Sequence, residues 1–169
     1  MKKYLLLISL LTLLFPILWS CEKDEICLEE TTPRLIIRFY DNEDPSEFKK
    51  VSNIIVQIEG ISGDYFNGSI TSSTDSIAIP IKVTEDITKF KFILNGNDTD
   101  DTNDNTDTFD LNYTREDIFV SRSCGYKTIF HDVETTLEID SENWIIDIKT
   151  VADPQAITNQ KSKHVKIFH

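Results

Sequence analysis

Hydrophobic and polar residues alternate with a period of two along most of the chain, and this period is typical of β-strands. The alternation is strictest over residues 77–83, where every second position is isoleucine or valine. Pro80 lies inside this run and has no backbone N–H, so we expect either an edge strand there or a strand in which the position of the missing donor faces outwards. The same period or a β-branched and aromatic composition recurs at residues 35–40, 51–58, 90–94, 109–113, 118–120, 127–130, 135–139, 144–148 and 165–168.

These segments predict an all-β domain over residues 33–169. Eight or nine short strands at fairly even spacing favour a single antiparallel β-sandwich, immunoglobulin-like or of a similar Greek-key type. Parallel sheets need long crossover segments, which are usually helices, and no segment shows a sustained helical period. Residues 153–163 are polar but precede an apolar segment, so we expect the last strand to pair back into a sheet.

The N-terminal residues follow a different pattern. A short basic start precedes an apolar run over residues 4–18, as in a secretory signal, and the run is shorter than the ~20 residues of a membrane span. The motif Leu18-x-Ser20-Cys21 resembles a bacterial lipobox, in which the chain is cleaved before the cysteine and its thiol is acylated. We therefore predict a lipoprotein signal peptide over residues 1–20 and lipidation of Cys21. A simple secreted protein and an uncleaved signal anchor are the alternatives.

Charged residues follow Cys21 directly. Lys23, Asp24 and Glu25 resemble the surface-export signal of Bacteroidota lipoproteins, which predicts an outer-membrane protein facing outwards. The alternative is a charged, solvated tether, and residues 21–32 form the tether in either case. Several acyl chains on one cysteine hold a protein firmly on a membrane, so the folded domain needs no apolar surface for this purpose.

The net charge of −12 changes the classes of partner that we expect. A strongly acidic surface is repelled by nucleic acid and disfavours a domain lying flat on anionic lipid. It suits a basic or glycan-bearing partner. The sequence indicates no oligomeric state.

The chain contains three cysteines. If Cys21 is acylated, Cys27 and Cys124 remain, and the extracytoplasmic space allows them to form a disulfide. Such a bridge closes a loop of ~97 residues and contributes roughly 4–5 kcal/mol in the chain-entropy model. Two separate buried thiols are the alternative.

Residues 95–110 are unusually rich in asparagine, aspartate and threonine. Their spacing does not match an EF-hand, and we interpret them as a long solvated hairpin loop. Weak Ca²⁺ binding remains open for four carboxylates, which are Asp98, Asp100, Asp101 and Asp104.

The candidate residues for catalysis form no recognisable constellation. His131, His164 and His169 are the three histidines, and the sequence has no HExxH or GxSxG motif. Carboxylates are too numerous for one pair to stand out, and Trp144 is expected in the core. We predict a protein that is not an enzyme and that has no cofactor or metal apart from weak Ca²⁺.

One further tripeptide resembles a modification site. Asp75-Ser76-Ile77 is similar to the Asp-Ser/Thr-aliphatic acceptor of O-glycosylation in Bacteroidota, which makes Ser76 a candidate acceptor. The alternative is a turn that starts the following strand.

Two longer stretches, residues 27–35 and 113–127, resemble a Bacteroidota outer-membrane lipoprotein family that is a domain of unknown function. The resemblance spans nearly the whole chain after the signal peptide. It implies a lipoprotein location without a known activity. Genes of this kind can neighbour one for a predicted outer-membrane protein, so the resemblance also implies such a protein as a partner.

The sequence therefore supports two hypotheses. The first is a lipid-anchored, extracytoplasmic β-domain that acts as a non-catalytic binding or assembly module for an envelope partner. The second is a glycan- or Ca²⁺-linked binding domain in nutrient uptake.

Overall fold

The structure is a computed structural model that describes residues 31–66, 73–96, 101–152 and 155–169, together with Lys3 and Cys27. The four ranges contain no α-helix, and among the described residues no helix is long and apolar enough to cross a membrane. Within them the chain forms a 3-10 helix at Asp101–Asn103 and nine strands, which are β1 (Leu35–Tyr40), β2 (Ile55–Ile58), β3 (Asp64–Phe66), β4 (Ser76–Ile79), β5 (Ile87–Leu94), β6 (Asn105–Ser121), β7 (Gly125–Leu137), β8 (Asp147–Thr150) and β9 (Val165–Phe168).

The strands form two sheets whose apolar faces share one core. The four-stranded sheet has the order β4-β1-β9-β8, and the five-stranded sheet has the order β3-β2-β5-β6-β7. Every second residue of β1, β4, β5 and β9 points into the core, as the alternation in the sequence predicted. The prediction of an all-β sandwich is confirmed. The largest fully buried side chains are Phe39, Phe90, Phe92, Phe109, Phe130, Leu35, Ile37, Ile54, Ile79, Leu111, Ile145 and Ile157.

One strand pair departs from the antiparallel expectation. β9 returns to a sheet as predicted, but it pairs with β1 in parallel, from Ile37 opposite Val165 to Tyr40 opposite Phe168. The connection between these two strands includes the whole five-stranded sheet, so no dedicated crossover helix is needed. β4 is an edge strand, and Pro80 follows its last residue, so the edge-strand prediction for this segment is confirmed.

Two strands are much longer than predicted. β6 and β7 each merge two of the predicted short segments, and β6 begins at Asn105. The prediction of a solvated loop up to residue 110 is therefore wrong for its second half. Asp107 lies within β6 and is fully buried, because it shares the inward face of the strand with Phe109 and Leu111.

The outer halves of β6 and β7 extend past the rest of their sheet. The last residue of β6 opposite β5 is Asn112, which faces Ile87. Beyond it, β6 pairs only with β7 among the described strands, which produces a projecting two-stranded segment over residues 115–128 that we call the ribbon. The ribbon turns at residues 122–124, next to Gly125 with its φ of +72°.

Candidate functional site

The ribbon is covalently attached to the N-terminal part of the chain. Cys27 and Cys124 form the predicted disulfide, with their Cα atoms 4.9 Å apart. Thr32 Oγ1 accepts a hydrogen bond from the Thr128 N–H at 3.0 Å. Cys27 is therefore held at the outer end of the ribbon, and Thr32 is held at its edge.

Two aromatic side chains are exposed near the end of the ribbon. Phe119 and Tyr126 face each other across β6 and β7, and their ring centroids are 5.4 Å apart at an angle of 68°. Phe119 is 55% exposed and Tyr126 is 71% exposed. Apolar surface of this kind is unusual at a position without a core behind it, and it marks a candidate contact surface.

A second aromatic group lies on the outer face of the four-stranded sheet. Phe48, Tyr40 and Phe168 form a continuous row, with ring centroids 5.1 Å apart for the first pair and 5.6 Å for the second. Tyr40 and Phe168 are buried although they point away from the core, whereas half of Phe48 is exposed.

Three cations cover this aromatic row. Arg38 lies 4.1 Å from the centroid of Phe48. Lys166 Nζ lies 4.7 Å from the Tyr40 centroid, and Lys149 Nζ lies 5.1 Å from the Phe168 centroid. The stems of these side chains cover the rings while their charged ends meet solvent, and the cations are attracted to the ring faces.

Beside the row lies an open groove with a cavity volume of about 320 Å³. The described residues that line it include three cations and no carboxylate, although Asp75 forms an ion pair with Arg38 at 3.3 Å. The groove therefore presents positive charge on a protein whose net charge is −12. The lining residues are Ile36, Arg38, Tyr40, Phe48, Ser76, Gln160, Lys161, Ser162 and Lys163.

A buried histidine holds one wall of the groove against β1. His164 Nδ1 accepts a hydrogen bond from the Ile36 N–H at 3.0 Å, and the His164 N–H donates to the Ile36 carbonyl at 2.8 Å. Burial lowers the pKa of His164, so the ring is neutral and its Nδ1 is free to accept. Lys161 and Lys163 precede this histidine directly, and its two hydrogen bonds position them.

A buried carboxylate of β6 is bonded to the loop before β8. Asp107 Oδ2 accepts a hydrogen bond from the Ile145 N–H at 2.6 Å, which fixes the loop before β8. Burial raises the pKa of Asp107, against the opposing effect of this hydrogen bond. Asp107 lies away from the groove lining, so we assign it a structural role.

The predicted site residues are distributed over several places. Ser76 lines the groove, and its hydroxyl donates to the Ile37 carbonyl at 3.2 Å. The lipidation residue Cys21 and the export residues lie outside the described residues, and the latter are Lys23, Asp24 and Glu25.

The Ca²⁺ candidates do not form a described site. Asp98 and Asp100 lie outside the described residues, Asp101 begins the 3-10 helix, and Asp104 is exposed. Within the part of the chain that the structure describes, no group of three or more histidine, cysteine or acidic side chains is arranged to hold a metal ion.

Sequence reasoning missed the aromatic row and the groove. The alternation in β1 placed Ile36, Arg38 and Tyr40 on the face opposite the core, and this was the available signal. The missing information was the parallel pairing with β9, which brings Lys166 and Phe168 beside that face. Pairing between strands so far apart in the chain has no local sequence signature.

The family model described as "Family of unknown function (DUF6452)" matches residues 55–169. No curated protein and no solved structure matches the chain. The matched range contains β2 to β9, including the disulfide-bonded end of the ribbon and the lysines of the groove.

Proposed function

We propose that this chain, which belongs to the family of unknown function DUF6452, is a lipid-anchored outer-membrane protein that binds an acidic segment of an envelope protein in its groove. The proposal makes it a non-catalytic binding or assembly module. The observation that carries it is the groove itself, where Arg38, Lys161 and Lys163 face solvent on a protein of net charge −12.

The proposed location rests on the N-terminal sequence and the disulfide. The lipobox-like motif at Cys21 supports an acyl anchor, and residues 23–25 support display on the surface of a Bacteroidota outer membrane. A disulfide between Cys27 and Cys124 suits an oxidising compartment outside the cytoplasm.

The proposed orientation follows from the direction of β1. Leu35 follows Thr32 closely, and Thr32 is bonded to the ribbon. Tyr40, at the other end of β1, lies ~17 Å from Leu35 at the usual rise of a strand. The end of the groove that contains Tyr40 and Phe48 therefore lies away from the disulfide and from the proposed anchor.

The groove offers complementary contacts to an acidic protein segment. Lys161 and Lys163 can pair with carboxylates, and Arg38 can form a bidentate contact while it stacks on Phe48. The exposed part of Phe48 can bury an apolar side chain. Clusters of one sign of charge also steer a partner of opposite sign and accelerate its association.

The experiment compares two double variants in co-purification from detergent-solubilised outer membranes. Lys161→Gln with Lys163→Gln removes two charges from the groove. Lys50→Gln with Lys91→Gln removes the same charge from two exposed lysines outside the groove lining. The parent and the control are expected to recover one stoichiometric protein that the groove variant loses. Equal recovery by both variants would contradict the groove proposal.

Mass spectrometry of the natural protein tests the anchor separately. The N-terminal peptide is expected to begin at an acylated Cys21. An unmodified cysteine at that position would refute the proposed anchor whatever the groove binds.

A glycan is the second candidate ligand of the groove. The half-exposed ring of Phe48 lies beside the polar side chains of Gln160 and Ser162, a combination that suits stacking on a sugar ring with hydrogen bonds to its hydroxyls. Glycan arrays with and without Ca²⁺ test this alternative, including its Ca²⁺-linked form. Binding that Phe48→Ala abolishes would favour it, and a blank array would remove it.

A further inference from the structure

The end of the ribbon is basic and aromatic although the protein as a whole is strongly acidic. Residues 118–127 contain Arg122 and Lys127 and no carboxylate, whereas the whole chain has a net charge of −12. The same stretch contains the exposed rings of Phe119 and Tyr126. Aromatic rings beside cations match the chemistry of the interface between a phospholipid bilayer and water.

The acidic side chains of β6 that precede the aromatic pair have partners within the protein. Asp117 Oδ1 accepts a hydrogen bond from the Thr128 hydroxyl at 2.7 Å, and Glu116 Oε2 lies 2.8 Å from His131 Nε2. Both lie at the base of the ribbon, before the aromatic pair. Approach of the end of the ribbon to a membrane therefore does not require these carboxylates to enter it.

The disulfide limits the distance between this end and the anchor. Cys27 is bonded to Cys124 at the turn of the ribbon. The chain from Cys21 to Cys27, even when fully extended, spans at most ~22 Å. An acyl anchor on Cys21 therefore keeps the end of the ribbon within that distance of the bilayer surface.

We propose that the end of the ribbon, with Phe119 and Tyr126, inserts into the phospholipid headgroup region of the membrane that holds Cys21. This inference rests on the proposed lipid anchor. The rings contribute interfacial burial, and Arg122 and Lys127 pair with lipid phosphates. The domain then contacts the membrane only through the end of its ribbon, and its acidic body stays away from the membrane.

Fluorescence quenching tests the insertion with the mature, acylated protein in phosphatidylcholine–phosphatidylglycerol liposomes. Phe119→Trp is compared with Phe48→Trp, which replaces a similarly exposed ring at the far end of β1. Both variants keep Trp144, whose emission in the parent is subtracted. We expect brominated lipid chains to quench the added emission of Phe119→Trp, with a blue shift, and to leave that of Phe48→Trp unchanged.

Two results would overturn the inference. One is equal emission of Phe119→Trp in brominated and ordinary liposomes, as expected if a protein partner or solvent covers the end of the ribbon instead. The other is equal quenching of both variants, which would indicate a domain lying flat. In both cases the mass of the Cys21 peptide reports the anchor independently, so failure of the insertion is distinguished from failure of the proposed lipidation.

Discussion

The body of the sandwich and the ribbon are built from the same alternating pattern but are stabilised differently. In the body, the rings of Phe90, Phe92 and Phe109 pack with centroids 5.2–6.4 Å apart and have no solvent exposure. In the ribbon, the rings of Phe119 and Tyr126 pack against each other and remain exposed. Alternation therefore predicts a strand, but it does not tell whether a second layer covers that strand.

The body and the ribbon therefore have different sources of stability. Burial of apolar surface stabilises the body, whereas an isolated two-stranded ribbon is at best marginally stable in water. The Cys27–Cys124 disulfide and the hydrogen bond to Thr32 compensate for the missing second layer. The following predictions test this division, from the largest expected effect to the smallest.

Removal of the disulfide is expected to have the largest effect. Cys27→Ser with Cys124→Ser should lower the free energy of unfolding by about 4–5 kcal/mol, because the unfolded chain regains the entropy of a long loop. Hydrogen exchange should show loss of amide protection in the ribbon before the body. Retained protection at residues 115–128 would show that the ribbon does not depend on the disulfide.

Truncation of one phenylalanine in each region tests the contrast directly. Phe109→Ala should cost about 3–5 kcal/mol, because it removes a fully buried ring and leaves a cavity. Phe119→Ala, the matched control in the same strand, should change stability by no more than about 0.5 kcal/mol. Urea unfolding measures both, and similar costs would contradict the division into two regions.

His164 should make the body sensitive to mild acid. Burial holds the folded pKa below the unfolded value of 6.5, so the unfolded chain takes up a proton that the folded protein does not. The contribution of His164 to the free energy of unfolding is fully present above pH 6.5, and it is lost as the pH falls through the folded pKa.

His164→Gln keeps a side-chain acceptor for the Ile36 N–H but cannot take up a proton. The stability of the parent relative to this variant should fall as the pH falls below 6.5, because only the parent has a group that the unfolded chain protonates more readily than the folded protein does. Urea unfolding across that interval measures it, and a constant difference between the two proteins would contradict the role of His164.

Asp107 should give a smaller effect of opposite sign. Burial raises its folded pKa above the ordinary value of 3.8, so the folded protein binds the proton more tightly than the unfolded chain does. The contribution of Asp107 to the free energy of unfolding is greatest below pH 3.8, and it is lost as the pH rises through the folded pKa. Asp107→Asn keeps an acceptor for the Ile145 N–H and removes this dependence. The stability of the variant relative to the parent should therefore rise with pH across that interval, and parallel pH profiles would contradict this.

The sequence predicted the local features of the fold well. The inward-facing sets Ile54, Val56 and Ile58, and Phe90 and Phe92, are buried as the alternation indicated. The lengths of the strands and their pairing partners were harder to predict from the sequence. Asp107 belongs to an acidic segment that looked solvated, and its burial follows from its place in β6, opposite Phe92 of β5 and on the same face as Phe109.

The candidate site was predicted only in part. The pairing of Cys27 with Cys124 followed from counting cysteines, because one of three was assigned to the lipid anchor. Net charge suggested a basic partner, whereas the groove concentrates Arg38, Lys161 and Lys163 and suits an acidic one. The net charge of a chain does not show which charged side chains lie close together in the folded protein. Here the parallel pairing of β1 with β9 brings these three cations together.

The parallel pairing of β1 with β9 also constrains how the protein is made. β9 is the last strand along the chain, yet it lies between β1 and β8 in the middle of its sheet. A nascent chain that lengthens by about 5–20 residues per second cannot close this sheet until β9 has been made, long after β1. Contacts of such high contact order also form slowly. The groove, whose lysines lie just before β9, therefore becomes competent for binding only after the other eight described strands have been made.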